Sequence, residues 1–354
     1  TKASGWEQKR GQGTKRGLGI ACGGFVCGAR MGGHTASASF IQVNEEGGVV
    51  LSTGSSDIGQ GSETTLAQIV AEVLGLSPAE VSVISGDTET TPIDPGTFSS
   101  RVTFYAGNAT MQAALEVKQL LAEMAAKYLE ANVKDIEFGD HRVYVKGVPH
   151  KAIPFDRLAK MAVGFGQGRS VIGKGHWAPQ NTQFPDKITR YGNVSGAYSF
   201  AAQVAEVEVD TDTGEVRLIK VTIADDCGRV INILGAEGQA EGSVSMGQGH
   251  ALLESILFGD RGQIMNPSFL EYKIPTTLDM AEVSFLEVGL PDPVGPYGAK
   301  EIGEGLIIST VPAILNAIYD AVRVRITELP VRPEKILQEL RKRKLEEDNA
   351  FAKI

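Results

Sequence analysis

The sequence predicts an α+β fold made of two strand-hairpin and helix units of related build. Three observations predict it. Period-2 apolar runs are paired across short turns, with SASFIQV and VVLST on either side of Asn44-Glu45-Glu46-Gly47-Gly48, and FAAQVAEVEVD and EVRLIKVTIADDCG on either side of Thr211-Asp212-Thr213-Gly214. Each hairpin leads into a segment of helical period. The order of the pieces also repeats: hairpin, acidic turn (Asp57-Ile58-Gly59-Gln60-Gly61 or Asp225-Asp226-Cys227-Gly228), then helix. A duplication and a chance recurrence of a common unit both produce such an echo.

In chain order, residues 1–17 are polar, basic and Gly-rich and read as a linker or ragged terminus. A β pattern runs from Gly17 to about Ser56 and opens a first unit over 18–195. Leu66, Ile69, Val70, Val73 and Leu74 share one helical face and Gly75 is a stop signal. A strand follows at 81–86, then the polar loop DTETTPIDPGTFSS and a long helix over about 107–131. Residues 132–192 contain a short β segment, a short helix near 154–163 and a Gly-rich stretch, a small excursion from the unit. The second unit, 196–340, holds the second hairpin, a helix from about Leu234 to Ala251, the strand VSFLEVG and an apolar helix near 302–322. Residues 341–354 form a charged tail.

Composition narrows the function. The 354 residues are 42% hydrophobic, as in a globular chain, and no signal peptide or run of about 18 apolar residues is evident. A net charge of −9 argues against a nucleic-acid scaffold. The expected compartment is the cytoplasm. Forty-two glycines, clustered and without a fixed period, point to loops built from backbone. Cys22, Cys27 and Cys227 complete no disulfide framework and no zinc or iron–sulfur set, so they read as small apolar residues, and no metal site made of protein ligands is expected.

Three loops could carry chemistry. Gly59-Gln60-Gly61-Ser62 at a helix start is suited either to hold an anion on backbone N–H groups or to make a tight turn; it is neither a P-loop nor a dinucleotide fingerprint. Gly96 to Val102, containing Phe98, Ser99, Ser100 and Arg101, is an anion cradle or a capped helix start with a surface arginine. In Gly295-Pro296-Tyr297-Gly298-Ala299-Lys300-Glu301-Ile302-Gly303-Glu304-Gly305, two acids stand three apart. Glu304, between two glycines at a helix entrance, is either a desolvated carboxylate suited to proton abstraction or a partner of the helix dipole.

At this loop the chain becomes recognisable. DIGQGSETTLAQIVAEVLG, ADDCGRVIN…EGQAEGSVSMGQG, and GPYGAKEIGEG with PAILNAIYDAV and VRITELPVRPEKI, in this order along the chain, resemble the C-terminal half of the molybdopterin-binding subunit of the xanthine oxidase family of molybdenum hydroxylases. GTFSSRVTFYAGNA is most similar to the four-hydroxybenzoyl-CoA reductase branch, and the size resembles the medium molybdopterin subunit of the nicotinate dehydrogenase type. The resemblance implies that Glu304 is the base at the molybdenum centre. It further implies that Gly59, Gln60, Gly61 and Gln239 bind the phosphate or pterin of molybdopterin, which in some forms is a cytosine dinucleotide. Phe98, Ser99, Ser100, Arg101 and Val102 would form a loop over the metal, with Lys300 and Gly303 lining the pocket. The metal would be held by the pterin. The implied partners are a chain carrying the first half of the molybdopterin unit, an iron–sulfur subunit, an FAD subunit and an aromatic or heterocyclic small-molecule substrate that is hydroxylated or reductively dehydroxylated. An aldehyde oxidoreductase subunit, or a relative acting only in assembly or cofactor delivery, are the alternatives.

Overall fold

The computed structural model describes residues 13–30, 36–166, 170–180 and 182–351. The first unit contains the hairpin β2 (Ser37–Val43) and β3 (Val49–Thr53), helix α1 (Ser62–Leu74), β4 (Val81–Ser85), the long helix α2 (Val102–Tyr128) and, after an insertion, β8 (Val171–Trp177). The insertion is a three-stranded antiparallel sheet of β5 (Ile136–Gly139), β6 (Arg142–Val145) and β7 (Val148–Pro154), followed by the short helix α3 (Phe155–Lys160). The second unit has the hairpin β9 (Tyr198–Asp210) and β10 (Val216–Asp225), helix α4 (Ile233–Leu252), β11 (Glu282–Glu287) and helix α5 (Glu304–Val322). Helix α6 (Pro333–Phe351) ends the described chain.

The two sheets have one topology. In β4-β3-β2-β8 the hairpin is antiparallel, β4 returns parallel to β3 through α1, and β8 lies antiparallel on β2. In β1-β9-β10-β11 the hairpin is again antiparallel and β11 returns parallel to β10 through α4. The place equivalent to β8 is taken by β1 (Thr14–Val26), antiparallel to β9. This corrects the sequence-based boundaries in two respects. β1 belongs to the second sheet although it precedes the first unit in the chain, and the segment read as a linker to residue 17 contributes Thr14 to Gly17 to that strand. The rest of the 1–17 expectation lies outside the described residues. The charged tail also begins earlier than residue 341, inside α6.

Packing explains why the two outer strands are alike. On β1, a Cβ at Gly17 or Gly19 would run into the backbone of α5 at Ala317 and Ala321 or at Ala313 and Ala317. On β8, a Cβ at Gly173 or Gly175 would run into α2 at Ala113 or Ala109. Each long helix thus lies directly on its outer strand, glycine against alanine. α2 starts at Val102, five residues before the sequence-based start, because the turn through Ser99 and Ser100 delivers the chain straight into it. Gly107 stays inside this helix because Pro296 packs against it, 2.9 Å from where a Cβ would stand. α5 has the length and apolarity of a membrane span, yet its Leu306, Ala313, Ala317 and Ile318 are buried against the second sheet, which marks it as a core helix.

Gly19→Ala forces α5 off β1 and should lower stability by about 1–3 kcal/mol, read as a lower urea midpoint. Leu18→Ala, on the exposed face of the same strand, should stay within about 0.5 kcal/mol of the unchanged chain.

Candidate active site

The N-terminal ends of α1, α2, α4 and α5 open onto one cavity of about 490 Å³. Its wall includes Gln60 and Ser62 from α1, Phe98, Ser100, Arg101 and Val102 from the entrance of α2, Asn232, Gly235 and Gln239 from α4, and Lys300, Gly303 and Glu304 from the entrance of α5. Helix N-termini carry partial positive charge and unpaired N–H groups, so four of them converging favour an anionic ligand. Most of the residues singled out in the sequence therefore meet here. Gly59, Gly61 and Ser99 shape the loops behind the wall: both glycines have positive φ, and Ser99 and Ser100 take the left-handed conformation with φ of 55° and 48°.

Several roles change once side chains are placed. Asp57 occupies the mouth of α1. Its carboxylate accepts from the N–H groups of Gly59 (2.8 Å), Glu63 (3.2 Å) and Gly61 (3.4 Å), so this loop binds an internal anion. Burial pushes Asp57 up, but these N–H bonds outweigh it and hold the carboxyl below its ordinary value. The Gln60 amide accepts from the N–H of Ile58 and donates to the carbonyl of Ser56, which ties it to its own loop.

Arg101 is not a surface arginine free to meet an anion. It is 3% exposed and forms an ion pair of 2.6 Å with Asp94, which is fully buried. It also donates to the carbonyl of Ala36 and to Ser37 Oγ, and its guanidinium lies 4.6 Å from the centre of the Tyr105 ring. The charge is spent on holding the 94–101 loop over the cavity, and the predicted capping of α2 by Ser99 or Ser100 is absent. Lys300 lines the cavity but its Nζ donates to the carbonyl of Tyr198 (2.9 Å) and pairs with Asp226 (2.8 Å).

Glu304 is the first residue of α5 and is exposed to the cavity, contrary to the expectation of a desolvated carboxylate. Ser100 donates to Glu304 Oε2 (3.0 Å) and accepts from the Glu304 N–H (3.0 Å), which ties the α2 loop to the α5 entrance. A Cβ at Gly303 would stand 3.0 Å from Ser100 Oγ and 3.9 Å from Gln239 Oε1, so the missing side chain lets the loops close. The desolvated acid is Glu301, 2% exposed, whose carboxyl burial pushes up against several hydrogen bonds. The spacing of two acids three apart was the only sequence signal for it; Asp94, Asp57 and Asn232 gave none.

Beneath this layer, Asp225 is 1% exposed with Oδ2 unpartnered. Burial, reinforced by the charge of Glu301, raises it to about 7, with a hydrogen bond from Cys227 opposing. The Cys227 thiol, on the cavity wall, is itself pushed up by burial and by Asp225, so it stays neutral.

The sequence matches the molybdopterin cofactor-binding domain family over residues 1–281. The chain belongs to that family, the molybdopterin-binding subunits of the xanthine oxidase type. It is 34% identical over 333 residues to the gamma subunit of the 6-hydroxypseudooxynicotine dehydrogenase complex of Paenarthrobacter nicotinovorans, covering 93% of this chain and 40% of that one. It is 29% identical over 342 residues to the xanthine dehydrogenase molybdenum-binding subunit of Escherichia coli O157:H7, covering 94% and 44%. Among solved structures it resembles quinoline 2-oxidoreductase from Pseudomonas putida 86, with a TM-score of 0.83, 29% identity and coverage of 93% and 42%. The chain thus spans about two-fifths of the length of these relatives.

As a molybdopterin-binding chain it has a fitting site. The donors around the cavity are helix ends and small polar side chains, and no Cβ fills the space at Gly59 or Gly61. Among the described residues no three His, Cys, Asp or Glu side chains converge, so a metal here would arrive held by its cofactor.

Replacing Arg101 by Met leaves Asp94 buried and unpaired, and should cost about 3–5 kcal/mol in denaturant unfolding. For Asp225 the folded carboxyl titrates above its unfolded value, so its contribution to stability is present in acid and lost as pH rises through about 7. Asp225→Asn should remove that decline, leaving the variant more stable than the unchanged chain at pH 8 in paired denaturation curves.

Proposed function

We propose that this chain is a catalytic part of a multi-chain molybdenum-dependent oxidoreductase, with Glu304 as the base of the reaction. The observation that carries the reading is the placement of Glu304: a carboxylate at a helix N-terminus, open to the cavity, oriented by Ser100 and facing the ends of three other helices. When bound, the molybdenum cofactor supplies the oxygen transferred to a ring carbon and takes up the electron pair that the carbon loses. Glu304 accepts the proton released on the oxygen side. Gln239, Gly303 and the Gln60 loop would hold the pterin, and the 98–102 loop, its shape held by Arg101, would close over the cofactor.

The substrate we propose is a planar aromatic or N-heterocyclic ring. Ile58, Phe98, Val230, Ile231, Ile302 and Ile307 also line the cavity, and such an apolar share of the lining suits a flat ring. Relatives named for nicotine, quinoline and xanthine support this class. The remaining length of the molybdopterin unit would come from a partner segment or chain, and iron–sulfur and FAD chains would carry the electrons onward. Relatives named as a gamma subunit and as large chains of complexes support a multi-chain assembly. In this reading the cofactor is of the cytosine dinucleotide type, and acid release should yield a cytosine nucleotide.

The enzyme purified with its partner chains should contain molybdenum, iron and flavin, and should reduce a dye with at least one of quinoline, nicotine, hypoxanthine or benzaldehyde, or act on 4-hydroxybenzoyl-CoA with a reductant. Glu304→Gln should leave molybdenum content unchanged and lower turnover about 10²–10⁴-fold. Near-normal turnover would show that another group is the base.

A further inference from the structure

Glu301 is a buried acid that the proposed chemistry does not use. Among the described residues no cation pairs with its carboxylate: Lys300, its neighbour in the chain, turns away to Asp226 and the Tyr198 carbonyl. Neutral donors surround it instead. Ser199 Oγ at the start of β9 donates to Oε1, and the Gly303 N–H donates to Oε2 at 2.8 Å. Gly305 packs against the same carboxyl, and Ser100, which donates to Glu304, stands beside it. Gly305 is required here, because a Cβ on it would collide with Glu301 Oε1 and stand 2.9 Å from Ser199 Oγ. A buried carboxylate without a counter-ion is costly unless its lone pairs are met by donors, and Ser199 and Gly303 each donate to one oxygen. A residue that only filled space would be apolar.

The donors come from two separate segments: the first strand residues of β9 and the turn between Glu301 and α5. Gly303 and Gly305 flank Glu304 on either side. Ser100 carries one hydroxyl hydrogen and stands between the two carboxylates, bonded to Glu304 Oε2 and within reach of Glu301. We propose that Glu301 is a positioning residue: by accepting from the Gly303 N–H and the Ser199 hydroxyl, it fixes the turn that aims Glu304 into the cavity. The catalytic part of this inference rests on Glu304 being the base; the structural part does not. The ionisable groups around Glu301 are Asp225 on β10, Cys27 after β1, and Lys300 and Glu304 on its own loop.

The test is Glu301→Gln in the assembled enzyme, a near-isosteric change that turns one accepting oxygen into a donor facing donors. Hydrogen exchange followed by mass spectrometry should quicken in peptides spanning 302–306, with the melting temperature within a few degrees of the unchanged enzyme and molybdenum content retained. With the panel compound turned over fastest, kcat should fall about 10–100-fold with KM little changed, because misplacing a reacting group by about 1 Å costs that order. Glu301→Gln combined with Glu304→Gln should be no slower than Glu304→Gln alone. Unchanged exchange at 302–306, loss of molybdenum, or a rise in KM that accounts for the lost efficiency would overturn the proposal. If Glu304→Gln retains turnover, the base assignment fails by itself, and the exchange result alone decides whether Glu301 holds the turn. If Glu301→Gln does not fold, Ser199→Ala, which removes one donor and keeps the carboxylate, is read by the same exchange and kcat criteria.

Discussion

Twice in this fold a strand lies directly on a helix, glycine against alanine. Gly17 and Gly19 of β1 admit α5, and Gly173 and Gly175 of β8 admit α2, to a distance at which a single Cβ would collide with helix backbone. Neither helix can slide along its strand or rise from it without losing this contact. The two helices are therefore held with their N-terminal ends side by side, and Ser100 at one end reaches Glu304 at the other. The cavity is a consequence of how the helices are seated on the sheets.

The electrostatics of the site follow from what has been neutralised internally. Arg101 is spent on Asp94 and Lys300 on Asp226, while Asp57 takes the N–H groups at the mouth of α1. Formal charges are thus paired inside the walls, and the helix ends of α2, α4 and α5 remain as the positive features facing the cavity. Such fixed dipoles need no reorganisation when a charge appears before them. Glu301 stands apart as a buried acid held by neutral donors alone, and the turn it organises carries Glu304.

Local pattern was enough to read most of the elements. The period-2 runs became β2, β3, β9 and β10, the 3.6-period faces became α1 and α5, and Gly75 ends α1 in the left-handed conformation expected of a stop. These signals are local because strand pleat, helix period and glycine's positive φ are set by neighbours in the chain. The ordered motifs also led to the family and to Glu304. What escaped was partnership across the chain. Nothing around Arg101 in the sequence distinguishes a guanidinium facing solvent from one buried on Asp94, seven residues earlier, and wrapped by Ala36 and Ser37.

The sequence by itself determined the α+β class, the repeated hairpin and helix order, and the loops from which the site is made, because each depends on residues within a few positions of one another. Only the tertiary structure decided that β1 closes the second sheet, since a strand's edge partner is chosen by register and by the glycine surface it offers a helix some 300 residues away. It also decided which of two acids three apart is exposed and which is buried. That choice is made by the Ser199 hydroxyl and the Gly303 N–H that converge on Glu301, leaving Glu304 to face the cavity.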